Sequence, residues 1–197
     1  MDFKDFKEVV LKNRSYRRFD GRHQVQGKTL NDLIDLARFT PSGANFQPLK
    51  FVLSNSPEWN AKIFDTLAWA GYLQDWDGPV ESERPTAYVI ILLDKRIQES
   101  APMDAGISAQ TILLGAASMG LGGCMVGNTR KAELAEILEL PDHVEILLAI
   151  ALGKPVERVK LEDTPPGGSI KYYRDSSATH HVPKRTREEL VLKSFLT

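Results

Sequence analysis

Cysteine is nearly absent from this sequence, since Cys124 is the only one among 197 residues. One cysteine excludes an intrachain disulfide and a metal site made of several thiolates, and it favours a reducing compartment, so we expect a cytoplasmic protein. Net charge is almost absent as well, at −1, which leaves no overall field to attract nucleic acid or an anionic membrane. Any binding of an anion must therefore depend on a local cluster of basic residues.

Long apolar runs are also missing. The stretches 87–93 and 146–152 are too short to cross a bilayer, and 103–121 is interrupted by polar residues and glycines. The first residues mix acidic and basic side chains and lack the apolar core of a secretion signal. With 42% hydrophobic and 26% charged residues, the composition predicts one compact domain over residues 1–197.

The spacing of apolar residues predicts alternating helices and strands. Helices are expected at 2–12, from Thr29 to Pro41 with Thr29 and Asp32 as a capping box, from about Glu58 through Ala70, at about 103–119, and from a Thr129 cap to Pro141. Strands are expected at 51–53, 87–93, 124–126 and 146–152. The chain after Gly153 is predicted to form loops, with a polar and basic tail segment at 180–189. Helices that precede the first buried strands favour a three-layer α/β or α+β sandwich over a regular βαβ series.

The helix predicted at 103–119 is rich in alanine, glycine and serine. Small side chains allow close approach of a second helix, either from the same chain or from a symmetry mate. Burial in the core of one chain explains the same composition equally well.

Two segments present polar groups that suit a phosphate and a flat heterocycle. The segment 13–19 contains Arg14, Ser15 and Arg17, which can converge on a phosphate because guanidinium donors match its oxygens. A solvated basic turn is the simpler interpretation of that segment alone. The segment 40–48 combines two prolines and a glycine with Ser42, Asn45 and Gln47, and it suits either a heterocycle edge or the capping of helix ends.

Two further segments carry weaker signals. Gly120 to Asn128 is rich in glycine, but a helix precedes it and a strand follows, which is the reverse of a dinucleotide-binding fingerprint. Lys184 and Arg185 follow Pro183 in the basic tail and would add charge to the first cluster only if the tail returns to it. No Gly-x-Ser-x-Gly motif or helical histidine pair occurs, and Cys124 is better explained as a core residue than as a nucleophile.

Taken in order, these segments resemble the FMN-dependent nitroreductase family. The resemblance covers nearly the whole chain and rests on Arg14-Ser15-x-Arg17-x-Phe19, Pro41-Ser42-Gly43-x-Asn45-x-Gln47-Pro48, the Asp104 helix that ends in Gly120-Leu121-Gly122, and Pro183-Lys184-Arg185. It implies an α+β fold, a three-layer sandwich with a mainly antiparallel central sheet flanked by helices, in a domain-intertwined homodimer. The C-terminal extension 160–197 is expected to wrap the partner subunit.

The resemblance also implies roles for individual residues. Arg14, Ser15 and Arg17, with Lys184 and Arg185, would hold the FMN phosphate and ribityl chain. Pro41, Ser42, Gly43, Asn45 and Gln47 would reach the flavin ring from the other subunit, and the backbone of Val126 and Gly127 would face flavin N5. Asn13 departs from the family pattern, in which a basic residue often precedes Arg14, and this places more weight on Arg17 and the tail.

The chain is short for the family, which implies a comparatively open flavin face. Trp69 and Tyr72, three apart on the predicted helix, could wall the substrate pocket together with Trp76, although aromatics at this spacing are more often core residues. The implied activity is oxidation of NADH or NADPH and reduction of small electron-poor acceptors, such as nitroaromatics or quinones, by ping-pong hydride transfer through flavin N5. Reductive dehalogenation, ring reduction, flavin fragmentation and a flavin-binding module without turnover remain alternatives.

Overall fold

The computed structural model describes residues 2–196, which form six α-helices, seven β-strands and two short 3-10 turns. In chain order the helices and strands are α1 (Phe3–Lys12), α2 (Gly27–Arg38), β1 (Leu49–Ser54), α3 (Pro57–Asp65), β2 (Ala87–Asp94), α4 (Pro102–Ser118), β3 (Gly122–Val126), α5 (Lys131–Ile137), β4 (Val144–Gly153), β5 (Val159–Thr164), β6 (Tyr173–Arg174), β7 (His180–Arg185) and α6 (Arg187–Leu190). No helix within residues 2–196 is both long and apolar enough to span a bilayer.

The central sheet has the strand order β1-β2-β4-β3, and every neighbouring pair is antiparallel. All eight residues of β2 are buried because helices cover both faces of the sheet. Val89 and Ile91 pack in a core with α2 and α4, whereas Ile90 and Leu92 pack in a second core with α3 and α5. The predicted three-layer α+β sandwich with a mainly antiparallel central sheet is confirmed.

Helix α4 packs closely against α2, as its small residues predict. A Cβ atom at Gly115 would lie 2.6 Å from Cδ1 of Leu36 and 2.8 Å from Cδ2 of Leu33, so a larger residue would push the two helices apart. The small side chains therefore serve helix packing within one chain. Met103 and Ile107 on the same helix remain exposed.

Two helix boundaries predicted at the N-terminal ends were wrong. Helix α2 begins at Gly27 after Gln26, so Thr29 lies inside the helix and forms no capping box with Asp32. Helix α5 begins at Lys131 after Arg130, and the hydroxyl of Thr129 instead donates to the carbonyl of Val126 at 3.3 Å. A capping box does occur in α1, where the Asp2 and Asp5 side chains accept from each other's backbone N–H groups at 2.8 and 3.1 Å.

The predicted helix from Glu58 through Ala70 was also wrong at its C-terminal end, because α3 ends at Asp65. Beyond it, Leu67 forms an antiparallel bridge with Thr129, and the N–H of Ala68 donates to the carbonyl of Asn128 at 2.9 Å. Backbone pairing with a distant segment thus overrides the helical pattern of the sequence. Trp69 and Tyr72 consequently do not share a helix face.

The chain after Gly153 is not a series of loops, contrary to the prediction. It forms a second sheet with the order β5-β7-β6, in which β5 and β7 are parallel and β6 and β7 are antiparallel. The strands carry mostly charged and polar residues, so they lack the alternating apolar pattern that identifies a strand in a sequence.

A histidine clasp, made of His181 in β7, Glu162 in β5 and Asp175 just after β6, links the strands of this second sheet. Nδ1 of His181 lies 2.7 Å from Oε1 of Glu162, and Nε2 lies 2.9 Å from Oδ2 of Asp175. Hydrogen bonds to Asp175 and Glu162 raise the pKa of His181. Hydrogen bonds from Lys160 and His181 lower the pKa of Glu162 to about 2, and the His181 bond likewise lowers the pKa of Asp175.

The clasp should make the second sheet sensitive to pH. A histidine with a raised pKa stabilises the fold fully below its ordinary value of about 6.5, and this contribution is lost as pH rises through the folded value. The Glu162 and Asp175 carboxylates stabilise the fold at pH values above their ordinary pKa of about 4, and this stabilisation is lost only in strong acid. We therefore expect hydrogen-exchange protection factors in β5–β7, corrected for intrinsic rates, to fall between pH 6 and pH 9 more than those in β2.

The variant His181→Gln supplies the control, because the glutamine side chain does not titrate in this pH range. In this variant the protection of β5–β7 should be lower at pH 6 and nearly independent of pH. Equal pH dependence in the variant and the unmodified chain would contradict the role of the clasp.

Candidate functional site

The basic segment that follows α1 lies against strand β3. Ser15 forms a parallel bridge with Gly123, and the N–H of Tyr16 donates to the carbonyl of Gly123 at 3.0 Å. A Cβ at Gly123 would lie 2.4 Å from the carbonyl oxygen of Ala151, and one at Gly122 would lie 2.5 Å from the Tyr16 ring. The two glycines therefore permit the close approach that places Ser15 and Arg17 at the sheet edge.

This segment forms one wall of a cavity of about 390 Å³, called here the basic cavity. Strand β7 supplies Lys184 from the opposite end of the chain, so the structure brings together Arg14, Ser15, Arg17 and Lys184. The full lining is Asn13, Arg14, Ser15, Arg17, Gln110, Leu113, Met125, Tyr172, His180, Val182 and Lys184. Three cations and no carboxylate line the cavity, which makes it suitable for a dianion such as a phosphate ester.

Four contacts hold Arg17 in place. Its Nη1 donates to the Ser15 carbonyl at 3.2 Å and lies 3.3 Å from Nε2 of His180. Its guanidinium lies 5.0 Å from the centre of the Tyr172 ring, and its backbone N–H donates to Oε2 of Glu157 at 2.9 Å. Such restraint lowers the entropy that the side chain would lose on binding an anion.

Glu157 connects this segment to the second sheet. Its side chain is fully buried, and its Oε1 accepts from Nη2 of Arg174 in β6 at 2.7 Å. One carboxylate thus accepts hydrogen bonds from the basic segment and from the tail. Because a buried carboxylate needs such partners, the tail and the basic segment stabilise each other.

His180 is buried beside Arg17, and this environment favours its neutral form. Burial lowers its pKa, and the charge of Arg17 lowers it further, against an opposing effect of Glu157. Because a guanidinium can only donate, Nε2 of His180 acts as the acceptor and its proton lies on Nδ1. The ring then supports Arg17 without adding a competing charge.

Arg14 is partly committed to its own helix. Its Nη2 donates to the carbonyl of Val10 at 2.6 Å, and burial lowers the pKa of the guanidinium. Arg185, by contrast, forms an ion pair with Glu189 in α6 and does not line the basic cavity. Lys184 makes no ion pair with any residue in 2–196.

A second, smaller cleft of about 130 Å³ adjoins the basic cavity and shares Arg17 and Met125 with it. Val126, Gly127 and Trp69 line this cleft. A Cβ at Gly127 would meet no atom within 4 Å, so the backbone there is open to a ligand. Tyr72 lies outside the cleft, 52% exposed, with its ring 4.9 Å from Tyr172.

Cys124, at the back of this cleft, is a core residue, as the sequence predicts. Its side chain is buried, and burial raises the pKa of its thiol. A thiol with a raised pKa is a poor nucleophile at neutral pH.

The loop from Pro41 to Gln47 does not reach the basic cavity of its own chain. Ser42 Oγ donates to the carboxylate of Asp104 in α4, and Gly43 N donates to the same carboxylate at 3.2 Å. Asn45 and Gln47 have φ angles of 58° and 52°, in the left-handed region, so the loop has a fixed and unusual backbone. Pro41, Ser42 and Gln47 line a separate cavity of about 320 Å³, which shares no lining residue with the basic cavity.

Several residues of the basic cavity were missed by sequence reasoning. Tyr172, His180 and Gln110 line it, and Glu157 supports it, yet each joins the site through contacts between distant segments. No local motif marks them. Within residues 2–196 no group of three or more histidine, cysteine, aspartate or glutamate side chains is placed to hold a metal ion.

Comparisons with known proteins agree on one family. The Nitroreductase family model matches residues 10–154. A protein of Methanothermobacter thermautotrophicus, provisionally named NADH dehydrogenase/NAD(P)H nitroreductase, is 26% identical over 166 residues, which cover 81% of this chain and 82% of that protein. A Bacillus subtilis protein named FMN reductase (NADPH) is 42% identical over 55 residues, 27% of this chain and 22% of its own length. Among solved structures, a Nitroreductase Family Protein from Streptococcus pneumoniae has a TM-score of 0.67 at 19% identity and covers 82% of this chain and 96% of its own.

Proposed function

This chain belongs to the nitroreductase family, and from that membership and the basic cavity we propose that it is an FMN-dependent NAD(P)H oxidoreductase. Three cations without a carboxylate line the basic cavity, and this observation carries the proposal. The names of the relatives support it, since the Bacillus protein is named FMN reductase (NADPH).

The shape and charge of the site fit FMN. The basic cavity suits its phosphate, and the adjoining cleft suits its ring system, because the two cavities meet at Arg17 and Met125. When bound, FMN would accept a hydride from NADH or NADPH and deliver it to a small electron-poor acceptor, such as a nitroaromatic or quinone. Arg14, Ser15, Arg17 and Lys184 would hold the phosphate, while the backbone of Val126 and Gly127 would orient the ring.

We propose that a homodimer completes the site. The loop of Pro41 to Gln47 is separate from the basic cavity of its own chain, so a second subunit would supply its Asn45 and Gln47 to the ring. Exposed apolar side chains occur near the chain ends, on α4 and beside this loop, and they are available to an interface. They include Phe3, Phe6, Phe39, Phe46, Met103, Leu192, Phe195 and Leu196.

The tail contributes to both parts of this proposal. Residues 159–185 build the second sheet against their own chain, and Lys184 and His180 reach the basic cavity. The end of the extension 160–197 would then contact the partner subunit through Leu192, Phe195 and Leu196, all of which are exposed.

Purified protein tests the proposal directly. It should be yellow or take up FMN when reconstituted, should release FMN on denaturation, and should lose flavin absorbance when mixed with NADH or NADPH without oxygen. Protein that cannot take up FMN would contradict the proposal. If FMN is bound but neither nucleotide bleaches it, the protein is a flavin-binding module without turnover. Product analysis with nitro, quinone, halogenated and unsaturated acceptors separates the possible flavin reactions.

A further inference from the structure

A fourth cavity lies apart from the basic cavity and its adjoining cleft. It has a volume of about 260 Å³, is bordered by α3, the start of β2 and the segment before β2, and shares no lining residue with the other two. Pro57, Phe64 and Pro85 give it apolar walls, whereas Arg84 and Tyr88 give it polar groups. The proposed flavin chemistry makes no use of these residues.

Tyr88, which lines this cavity, has an unsatisfied hydroxyl. The residue is 1% exposed, and its hydroxyl has no hydrogen-bond partner among residues 2–196. Burial raises the pKa of the phenol, so the hydroxyl remains a donor at any physiological pH. A buried donor without an acceptor is costly, so the hydroxyl favours a ligand that brings an acceptor.

Arg84 brings an unpaired cation to the same cavity. Its guanidinium lies 4.0 Å from the centre of the Phe64 ring, but its side chain makes no ion pair or hydrogen bond with any residue in 2–196, and its buried Nε has no partner. The nearby Arg18 shows the contrast, since it forms two hydrogen bonds of 2.6 Å with Glu83. The fork of donors on Arg84 therefore remains available to a ligand.

We propose that this cavity binds a small monocarboxylate with a flat apolar body. The carboxylate accepts from the Arg84 guanidinium and the Tyr88 hydroxyl, and the body packs against Phe64, Pro57 and Pro85. Glu81 also lines the cavity, and its negative charge opposes a dianion more strongly than a singly charged ligand. The chemistry therefore favours a carboxylate over a phosphate.

The cavity has a physical connection to the proposed cofactor cleft. The Phe64 ring lies 5.6 Å from the ring of Trp69, centre to centre, and Trp69 lines the cleft beside Gly127. A ligand seated against Phe64 would thus contact a side chain that packs against the wall of the cleft. Binding itself does not depend on flavin.

Titration of the full-length protein, with its cofactor as purified, tests this inference. Benzoate is the probe, followed by backbone amide NMR, with benzamide as a neutral ligand of the same shape and inorganic phosphate as the dianion. Benzoate should bind saturably and perturb amides at 57–64 and 84–88. Stronger binding of benzamide or phosphate, or perturbations confined to 126–128, would overturn the proposal.

Matched variants sharpen the test. Arg84→Gln should weaken benzoate binding at least about tenfold, the loss of one charge-assisted contact, whereas Arg158→Gln, an exposed arginine outside the cavity, should not change it. Tyr88→Phe should weaken binding severalfold without lowering the melting temperature, since it removes an unpaired hydroxyl. Glu81→Gln should strengthen binding. Unchanged affinity in Arg84→Gln would refute the site, even if the protein is confirmed as a flavoenzyme.

Discussion

Replacing Arg17 with alanine should weaken FMN binding by about 10- to 150-fold and leave the affinity for riboflavin nearly unchanged. Arg17 lines the basic cavity and is held there by Ser15, His180 and Tyr172. A hydrogen bond to a charged group contributes about 1.5–3 kcal/mol, and each 1.4 kcal/mol changes affinity about tenfold. Riboflavin lacks the phosphate, so it cannot lose this interaction.

Quenching of flavin fluorescence during titration of the apoprotein measures both affinities. Arg17→Lys keeps the charge without the planar fork of donors and should fall between the alanine variant and the unmodified chain. Arg22→Ala is the matched control, because its side chain is 92% exposed and, among residues 2–196, pairs only with Asp20. Equal losses for FMN and riboflavin would remove Arg17 from the phosphate site and assign it to the fold.

Replacing Glu157 with alanine should loosen the second sheet and weaken FMN binding together. Removing one member of a buried ion pair costs about 3–5 kcal/mol, because the other charge is left unpaired. Arg174, whose side chain is 17% exposed, would lose its carboxylate, so we expect the lower end of this range. Arg17 would lose the acceptor of its backbone N–H at the same time.

Hydrogen exchange resolves where this loss occurs. Protection should fall in β5–β7 and in the segment 15–18, while β2 keeps its protection, because the central sheet does not depend on Glu157. Glu157→Gln retains one acceptor oxygen and should give a smaller loss, and Glu136→Ala on the exposed face of α5 should give none. A uniform fall in protection across both sheets would contradict the local role of Glu157.

The central sheet and its helices could be predicted because their signals are local. The run of residues in β2 is continuously apolar, as a strand covered on both faces requires, and the small residues of α4 indicate close helix packing. The C-terminal end of α3 and the N-terminal end of α5 could not be predicted, because both adjoin the backbone pairing of Leu67 with Thr129. The second sheet was missed because ion pairs, such as that of His181 with Glu162, take the place of an apolar face.

The residues of the candidate site likewise differ in how far the sequence could predict them. Arg14, Ser15 and Arg17 are neighbours in sequence, so the segment alone allowed their convergence on one cavity, but only the family resemblance favoured it over a solvated basic turn. Lys184 could join this cluster only if the tail returns to it, as the family resemblance implies, and the structure places Lys184 in the lining of the basic cavity. His180 and Glu157 carry no local signal, since their importance arises from contacts made across more than 100 residues.

The position of the second sheet in the chain also sets an order of events during synthesis. Arg14 and Arg17 leave the ribosome first, whereas Tyr172, His180 and Lys184 lie close to the C-terminus. The parallel pairing of β5 with β7 needs both strands and an intervening crossover, and non-local pairing of this kind is slow. The central sheet can therefore form on a nascent chain that still lacks one wall of the basic cavity, and we expect FMN to bind only after that wall has been added.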